Sequence, residues 1–243
     1  MSRMTQAVIM LLFGGAIIKA TVTDVFLRYV KAGLQPFLLV AGILLVAAAV
    51  MTIWYDLRAA RRGEAGHDDH EPDDGHGHGA HEPKVGWLLL LPVLGLLLIS
   101  PPALGSFAAG QAGSVGPAAA SDYPPLPAGD PVELSLLDYA SRAVFDGGKS
   151  LAGRTVKLTG FITPGPDGKP MLARMVLTCC AADGRPIKVG LSGVPMDAPP
   201  DAWVEVAGVY SNQVGTDPVN QAQVAYVEVK SWQEIDQPKQ PYA

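Results

Sequence analysis

The chain has 243 residues, 49% of them hydrophobic, with 18 Lys and Arg against 23 Asp and Glu for a net charge of -5. That balance fits a membrane portion joined to a mildly acidic soluble portion, and it leaves no basic face for nucleic acid. From Pro131 onward ten Lys and Arg stand against twelve Asp and Glu, so the soluble portion is itself slightly acidic.

The first apolar stretch, residues 4–23, is interrupted only by Lys19, which lies close enough to its end to reach the head groups of a bilayer. A secretory signal peptide is the competing reading. No convincing small-x-small cleavage site follows, and two further apolar stretches do, which favours an uncleaved helix. Asp24 and Arg28, four apart just beyond it, suit a solvated juxtamembrane pair. Residues 37–54 carry no charge and as a helix would measure about 27 Å, so a second span is expected over 37–55. A third is expected over 86–105, with Trp87 at one interface and Pro101-Pro102 near the other.

Between the second and third stretches, residues 64–84 form a loop that holds every histidine in the protein: His67, His70, His76, His78 and His81, with Asp68, Asp69, Glu71, Asp73 and Asp74 among them. Imidazole and carboxylate at such short spacing suit zinc or another divalent transition metal. A glycine-rich loop fixes no geometry, so the expectation is weak, unselective collection of metal. A solvated polar linker with incidental histidines is the plain alternative. Catalysis is not expected, since nothing around such a loop excludes water.

Arg58, Arg61 and Arg62 follow the second stretch and Lys84 precedes the third, the first loop holds Arg28 and Lys31, and nothing basic follows the third until Arg142. By the positive-inside rule this places the N-terminus and the histidine loop in the cytoplasm and the C-terminal portion outside the inner membrane. The organisation expected is therefore a transmembrane region over 1–106, an Ala/Gly/Pro-rich linker over 107–131, and an extracytoplasmic domain over 132–243.

That domain opens with a helical pattern in Leu134–Gly148, whose apolar residues Leu136, Leu137, Tyr139, Ala140, Ala143 and Val144 share a face and which stops at Gly147-Gly148. Five strand-like runs follow: "RTVKLTGFIT", "PMLARMVLTCC", "PIKVGLSG", "AWVEVAGVYSN" and "QVAYVEVKSWQEI". Glycines inside the first and fourth, Gly160 and Gly208, suit the bends of a small closed sheet. The fold expected is α+β, three transmembrane helices followed by a mostly β, OB-like five-stranded barrel.

Cys179 and Cys180 end the second run, where strand geometry predicts side chains on opposite faces, one buried and one exposed. They admit four readings: small buried side chains, a metal site using a thiolate with Asp183 and a partner's group, a vicinal disulfide, or a reactive thiol. The domain has no histidine to complete a zinc site or to activate a nucleophile.

The histidine-rich loop between the second and third apolar stretches, "GRTVKLTGF", Arg174 six residues before "CAAD" and the terminal "KQPYA" together resemble the YcgQ-like family of permease subunits. The resemblance runs along essentially the whole chain. It implies a non-enzymatic accessory subunit embedded in the lipid bilayer beside a separate multi-span permease. Arg174, Cys180 and Asp183 match the family pattern, with Arg174 and Asp183 expected to pair; Cys179 is not a fixed position. The alternative is a membrane-anchored external protein that works alone, its OB-like face binding a sugar or peptide.

Overall fold

The computed structural model describes residues 3–62, 95, 99, 101–116 and 122–243. They fall into two compact units, one containing residues 1–26 and 33–101, the other residues 27–32 and 102–243.

In the first unit, helices α1 (Arg3–Val22) and α2 (Gln35–Arg61) pack against each other. Their approach depends on small residues: a Cβ on Gly14 would stand 2.8 Å from a Val46 methyl and 2.9 Å from the Gly42 carbonyl. Both helices are long and apolar enough to cross a bilayer. Away from the contact α1 exposes Val8, Leu11 and Phe13, and α2 exposes Phe37, Val40, Ile43 and Leu44, a surface that water does not favour. Near the end of α2 the Arg58 guanidinium lies 4.4 Å from the centre of the Trp54 ring. The helix expected over 86–105 lies mostly outside the described residues. Its last five positions, 101–105, are described and are not helical, as Pro101 and Pro102 dictate.

The second unit is built around β2 (Thr155–Pro164), β3 (Pro170–Val176), β4 (Arg185–Gly193), β5 (Trp203–Thr216) and β6 (Gln223–Glu234), preceded by the short β1 (Val132–Glu133). The sheet runs β1-β2-β3-β4-β6-β5, and β5 pairs back onto β2 from Thr155↔Val209 to Phe161↔Trp203, closing a five-stranded barrel. The β4–β6 pair is parallel; the other barrel pairs are antiparallel. Alternation fills the interior, with Val156, Leu158 and Ile162 from β2, Leu172 from β3, Ile187 and Val189 from β4, Val204 and Val206 from β5, and Val227 and Val229 from β6. Gly208 adjoins a bulge against β6 and would place a Cβ 2.6 Å from the Glu228 carbonyl. Gly160 would place one 2.5 Å from that of Ala173. Both positions need a residue without a side chain.

Helix α4 (Leu136–Phe145) packs against this core with Leu136, Tyr139, Ala140 and Ala143. Ser135 caps it by accepting the Asp138 N–H at 3.0 Å, and it stops at Gly147 and Gly148, which have φ of 59° and 72°.

The stretch expected as a free linker is instead part of the domain wherever it is described. Helix α3 (Ser106–Gln111) covers outward residues of β2, β3 and β5: Phe161, Ala173, Met175 and Trp203 meet Leu104, Ala108 and Ala109. The Ser106 N–H and hydroxyl both donate to Asp201, at 2.6 and 2.7 Å. Further on, the Ser114 N–H donates to Asp217 at 3.1 Å and the Val115 N–H to the Pro186 carbonyl at 2.6 Å, while the Lys188 N–H donates to the Ser114 hydroxyl at 3.1 Å. Residues 114–115 thus run along the edge of β4 that β6 leaves unpaired. Beneath them lies a buried ion pair, Lys188 Nζ to Asp217 Oδ2 at 2.9 Å. Burial pushes the Asp217 carboxyl up, but the Lys188 ammonium and the N–H groups of Val219 and Ser114 outweigh it and hold the group below its ordinary value. Closer to α4, Arg154 donates to the carbonyls of Pro127 and Gly129, and Arg142 to that of Pro124.

Candidate functional site

Strand β3 ends at Val176, and the chain leaves the barrel through a tight turn rather than continuing as strand to Cys180. Leu177 is buried and secures the turn's start. A 3₁₀ turn over Ala181–Asp183 then brings Asp183 back beneath the preceding residues. Its carboxylate accepts the N–H groups of Thr178 at 2.8 Å, Cys179 at 2.8 Å and Cys180 at 3.4 Å. An aspartate a few residues beyond otherwise unpaired N–H groups is suited to this capture.

The turn places both cysteine side chains on one side. Cys179 Sγ and Cys180 Sγ are 3.6 Å apart, Cys179 is exposed and Cys180 half-buried, and both are free thiols. The expected division into one inward and one outward cysteine fails because neither lies in a strand. One ligand atom from each of Cys179, Cys180 and Asp183 can be chosen so that all three lie within 4.8 Å of one another. The Cys179 thiol lies beside the Asp183 carboxylate and within 3.6 Å of the Cys180 sulfur. The nearby carboxylate, reinforced by the neighbouring sulfur, pushes the thiol up to about 11, and the thiol joins the backbone N–H groups of Cys179 and Thr178 in lowering Asp183 to about 2.

A second strand of chain clamps the turn from outside. Val30 and Cys180 form an antiparallel bridge, the Lys31 N–H donating to the Cys179 carbonyl at 3.1 Å and the Ala181 N–H to the Tyr29 carbonyl at 2.7 Å. The C-terminus joins the same cluster. The Tyr242 hydroxyl donates to the Arg28 carbonyl at 2.6 Å and accepts the Leu104 N–H at 3.0 Å, and the Ala243 N–H donates to the Met175 carbonyl at 2.9 Å.

Of the residues singled out from the sequence, Cys180 and Asp183 come together and Cys179 joins them. Arg174 does not pair with Asp183. Its Nη2 donates to the Gln240 carbonyl at 2.8 Å, which ties down the C-terminal segment, and its buried Nε has no hydrogen-bond partner among the described residues. Burial pulls its pKa down, against the charge of Glu133. His67, His70, His76, His78, His81, Asp68 and Asp69 lie outside the described residues. Sequence reasoning missed the part played by residues 29–31, whose link to the turn is made by backbone hydrogen bonds that leave no mark in the sequence.

A pair of long apolar helices and a closed β barrel carrying an anchored thiol–carboxylate turn are compatible with a membrane-associated protein. Residues 143–243 match the family described as DUF1980 C-terminal domain, which is consistent with the YcgQ-like resemblance. No curated protein and no solved structure matches the chain.

Proposed function

We propose that this chain is an accessory subunit of a permease, embedded in the inner membrane, without enzymatic activity of its own, and linked to divalent metal handling through the histidine-rich loop on its cytoplasmic side. The observation that carries the reading is the pairing of Tyr29, Val30 and Lys31, which lie between the two apolar helices, with the barrel's Cys179–Ala181 turn. If α1 and α2 cross a membrane, that link and the barrel share one side of it. The basic residues Arg58, Arg61 and Arg62 at the end of α2 argue for the opposite side as cytoplasmic. The match to the DUF1980 C-terminal domain adds the family-level support.

The stand-alone binder finds less support. The five strands close into a barrel in the order β2-β3-β4-β6-β5, and the OB-like reading would put a ligand on the face of the second and third of them. Those strands are β3 and β4 here. Helix α3 covers the outward residues of β3, and residues 114–115 occupy the open edge of β4.

The test is affinity purification of the tagged full-length chain from gently solubilised membranes, with mass spectrometry of what remains bound. The expected result is one multi-span membrane protein in near-equal amount. Recovery of the chain alone, in detergents that preserve known membrane complexes, overturns the proposal in favour of the stand-alone protein.

A further inference from the structure

We propose that Cys179, Cys180 and Asp183 form an open site for a thiophilic, tetrahedral divalent cation of the zinc and cadmium class. Its three ligands all come from the turn after β3, and none is a histidine of the histidine-rich loop.

The sulfur separation is compatible with a tetrahedral ion without rearrangement. Two thiolates on a tetrahedral zinc, each about 2.3 Å from the metal, stand roughly 3.8 Å apart, whereas sulfurs on opposite sides of a two-coordinate ion of that bond length would stand about 4.6 Å apart. The observed 3.6 Å is close to the tetrahedral spacing. A disulfide, by contrast, would need the sulfurs at about 2.0 Å across a single peptide bond.

The third ligand is already in place. Asp183 is oriented by the three N–H groups it accepts, and each carboxylate oxygen offers two lone pairs, so its lone pairs outnumber those donors. The turn is further fixed by its backbone pairing to Tyr29 and Lys31, so little ordering is left to be done when an ion arrives. Solvent supplies the fourth position on the side where Cys179 is exposed. A cysteine kept only for packing is characteristically buried, and Cys179 is not.

Binding exchanges protons for metal without any redox step. The cation forms two metal–sulfur bonds and one metal–oxygen bond, the two S–H bonds break, and both protons pass to solvent. Three anionic ligands around a dication with one open position make a site suited to receiving and passing on an ion rather than enclosing it.

The experiment titrates the reduced, full-length chain in detergent with Cd²⁺ and follows sulfur-to-cadmium charge-transfer absorption in the ultraviolet. Imidazole does not produce this band, so ions held by the histidine-rich loop are silent. The expected result is a band that saturates at one equivalent. Cys179→Ser and Cys180→Ser should each lose about half of it and weaken binding by at least about tenfold, with unchanged far-ultraviolet circular dichroism. Asp183→Asn should weaken binding with both thiols retained. The proposal is overturned if no band appears, if it survives in both serine variants, or if the protein isolated without reductant carries a Cys179–Cys180 disulfide. Copurification of a permease is scored separately, so loss of this site and loss of the partnership are distinguishable.

Discussion

Val30 faces Cys180 across an antiparallel β-bridge, so a segment lying between two apolar helices in the sequence forms one wall of the barrel's thiol turn. The contact is made by backbone groups, and its strength is therefore sensitive to proline. Lys31→Pro removes the N–H that donates to the Cys179 carbonyl while leaving Val30 in the extended conformation that suits a bridge. A net loss of about 0.5–1.5 kcal/mol is expected. It should appear as a severalfold faster reaction of Cys179 and Cys180 with maleimide, while the unfolding transition of the barrel hardly moves. An unchanged rate would mean that the link does not shield the turn.

Asp183 should govern both thiol reactivity and acid tolerance of the turn. Its lowered folded-state pKa means that its contribution to stability is fully present above the ordinary carboxylate value near 4, and is lost as pH falls toward about 2. Amide exchange at Thr178 and Cys179 should therefore accelerate across that window. At neutral pH, Asp183→Asn removes the charge that holds the Cys179 proton, and alkylation of Cys179 should quicken by about tenfold or more, since each unit of pKa is a factor of ten in thiolate.

Lys188→Met leaves the Asp217 carboxylate buried with its two backbone N–H partners but without its counter-charge. A destabilisation of about 3–5 kcal/mol is expected from denaturant unfolding followed by tryptophan fluorescence. Replacing both, Lys188→Met with Asp217→Leu, should recover a large part of that loss. A cycle in which the two changes simply add would show that the pair is not coupled.

Arg174→Met removes a guanidinium whose buried Nε has no hydrogen-bond partner among the described residues, and with it the bond from Nη2 to the Gln240 carbonyl. The barrel should keep its stability to within about 1 kcal/mol. The C-terminal segment should loosen, read as faster exchange of the Ala243 amide that bonds to Met175. Large destabilisation would instead assign Arg174 to the core.

Deletion of residues 66–82 should weaken metal-dependent growth phenotypes and leave copurification with the permease intact. If assembly is lost instead, the loop is an interaction element and the metal account of it fails.

Much of the architecture follows from local pattern. The apolar stretches over 4–23 and 37–55 became α1 and α2, and five β-rich runs became the barrel strands, because alternation and uncharged length are properties of neighbouring residues. Residues 104–116 were illegible for the opposite reason. Their Ala, Gly and Ser have no apolar period, and what holds them is hydrogen bonding to Asp201, Lys188 and Asp217, positions 74 to 103 residues away. The thiol turn was half legible: "CCAAD" announces the residue types, but the same-side placement of the sulfurs depends on β3 ending at Val176. The Arg174–Asp183 pairing failed because the guanidinium is turned to the C-terminal segment, where Nη2 donates to the Gln240 carbonyl, a position 66 residues away that local sequence does not announce.

The fastening of residues 104–116 has a mechanical consequence. Tension applied to the chain at Pro102 does not reach β1 through slack polypeptide; it meets the paired bonds from Ser106 to Asp201, then those joining Ser114 and Val115 to Asp217, Lys188 and Pro186. These anchor points lie on the β4–β5 connection, on β4 and on the β5–β6 connection, so a pull is spread over three parts of the barrel at once. The domain is tethered like a lever bolted at several points, and displacement of its attachment would be delivered as force on the barrel rather than absorbed on the way.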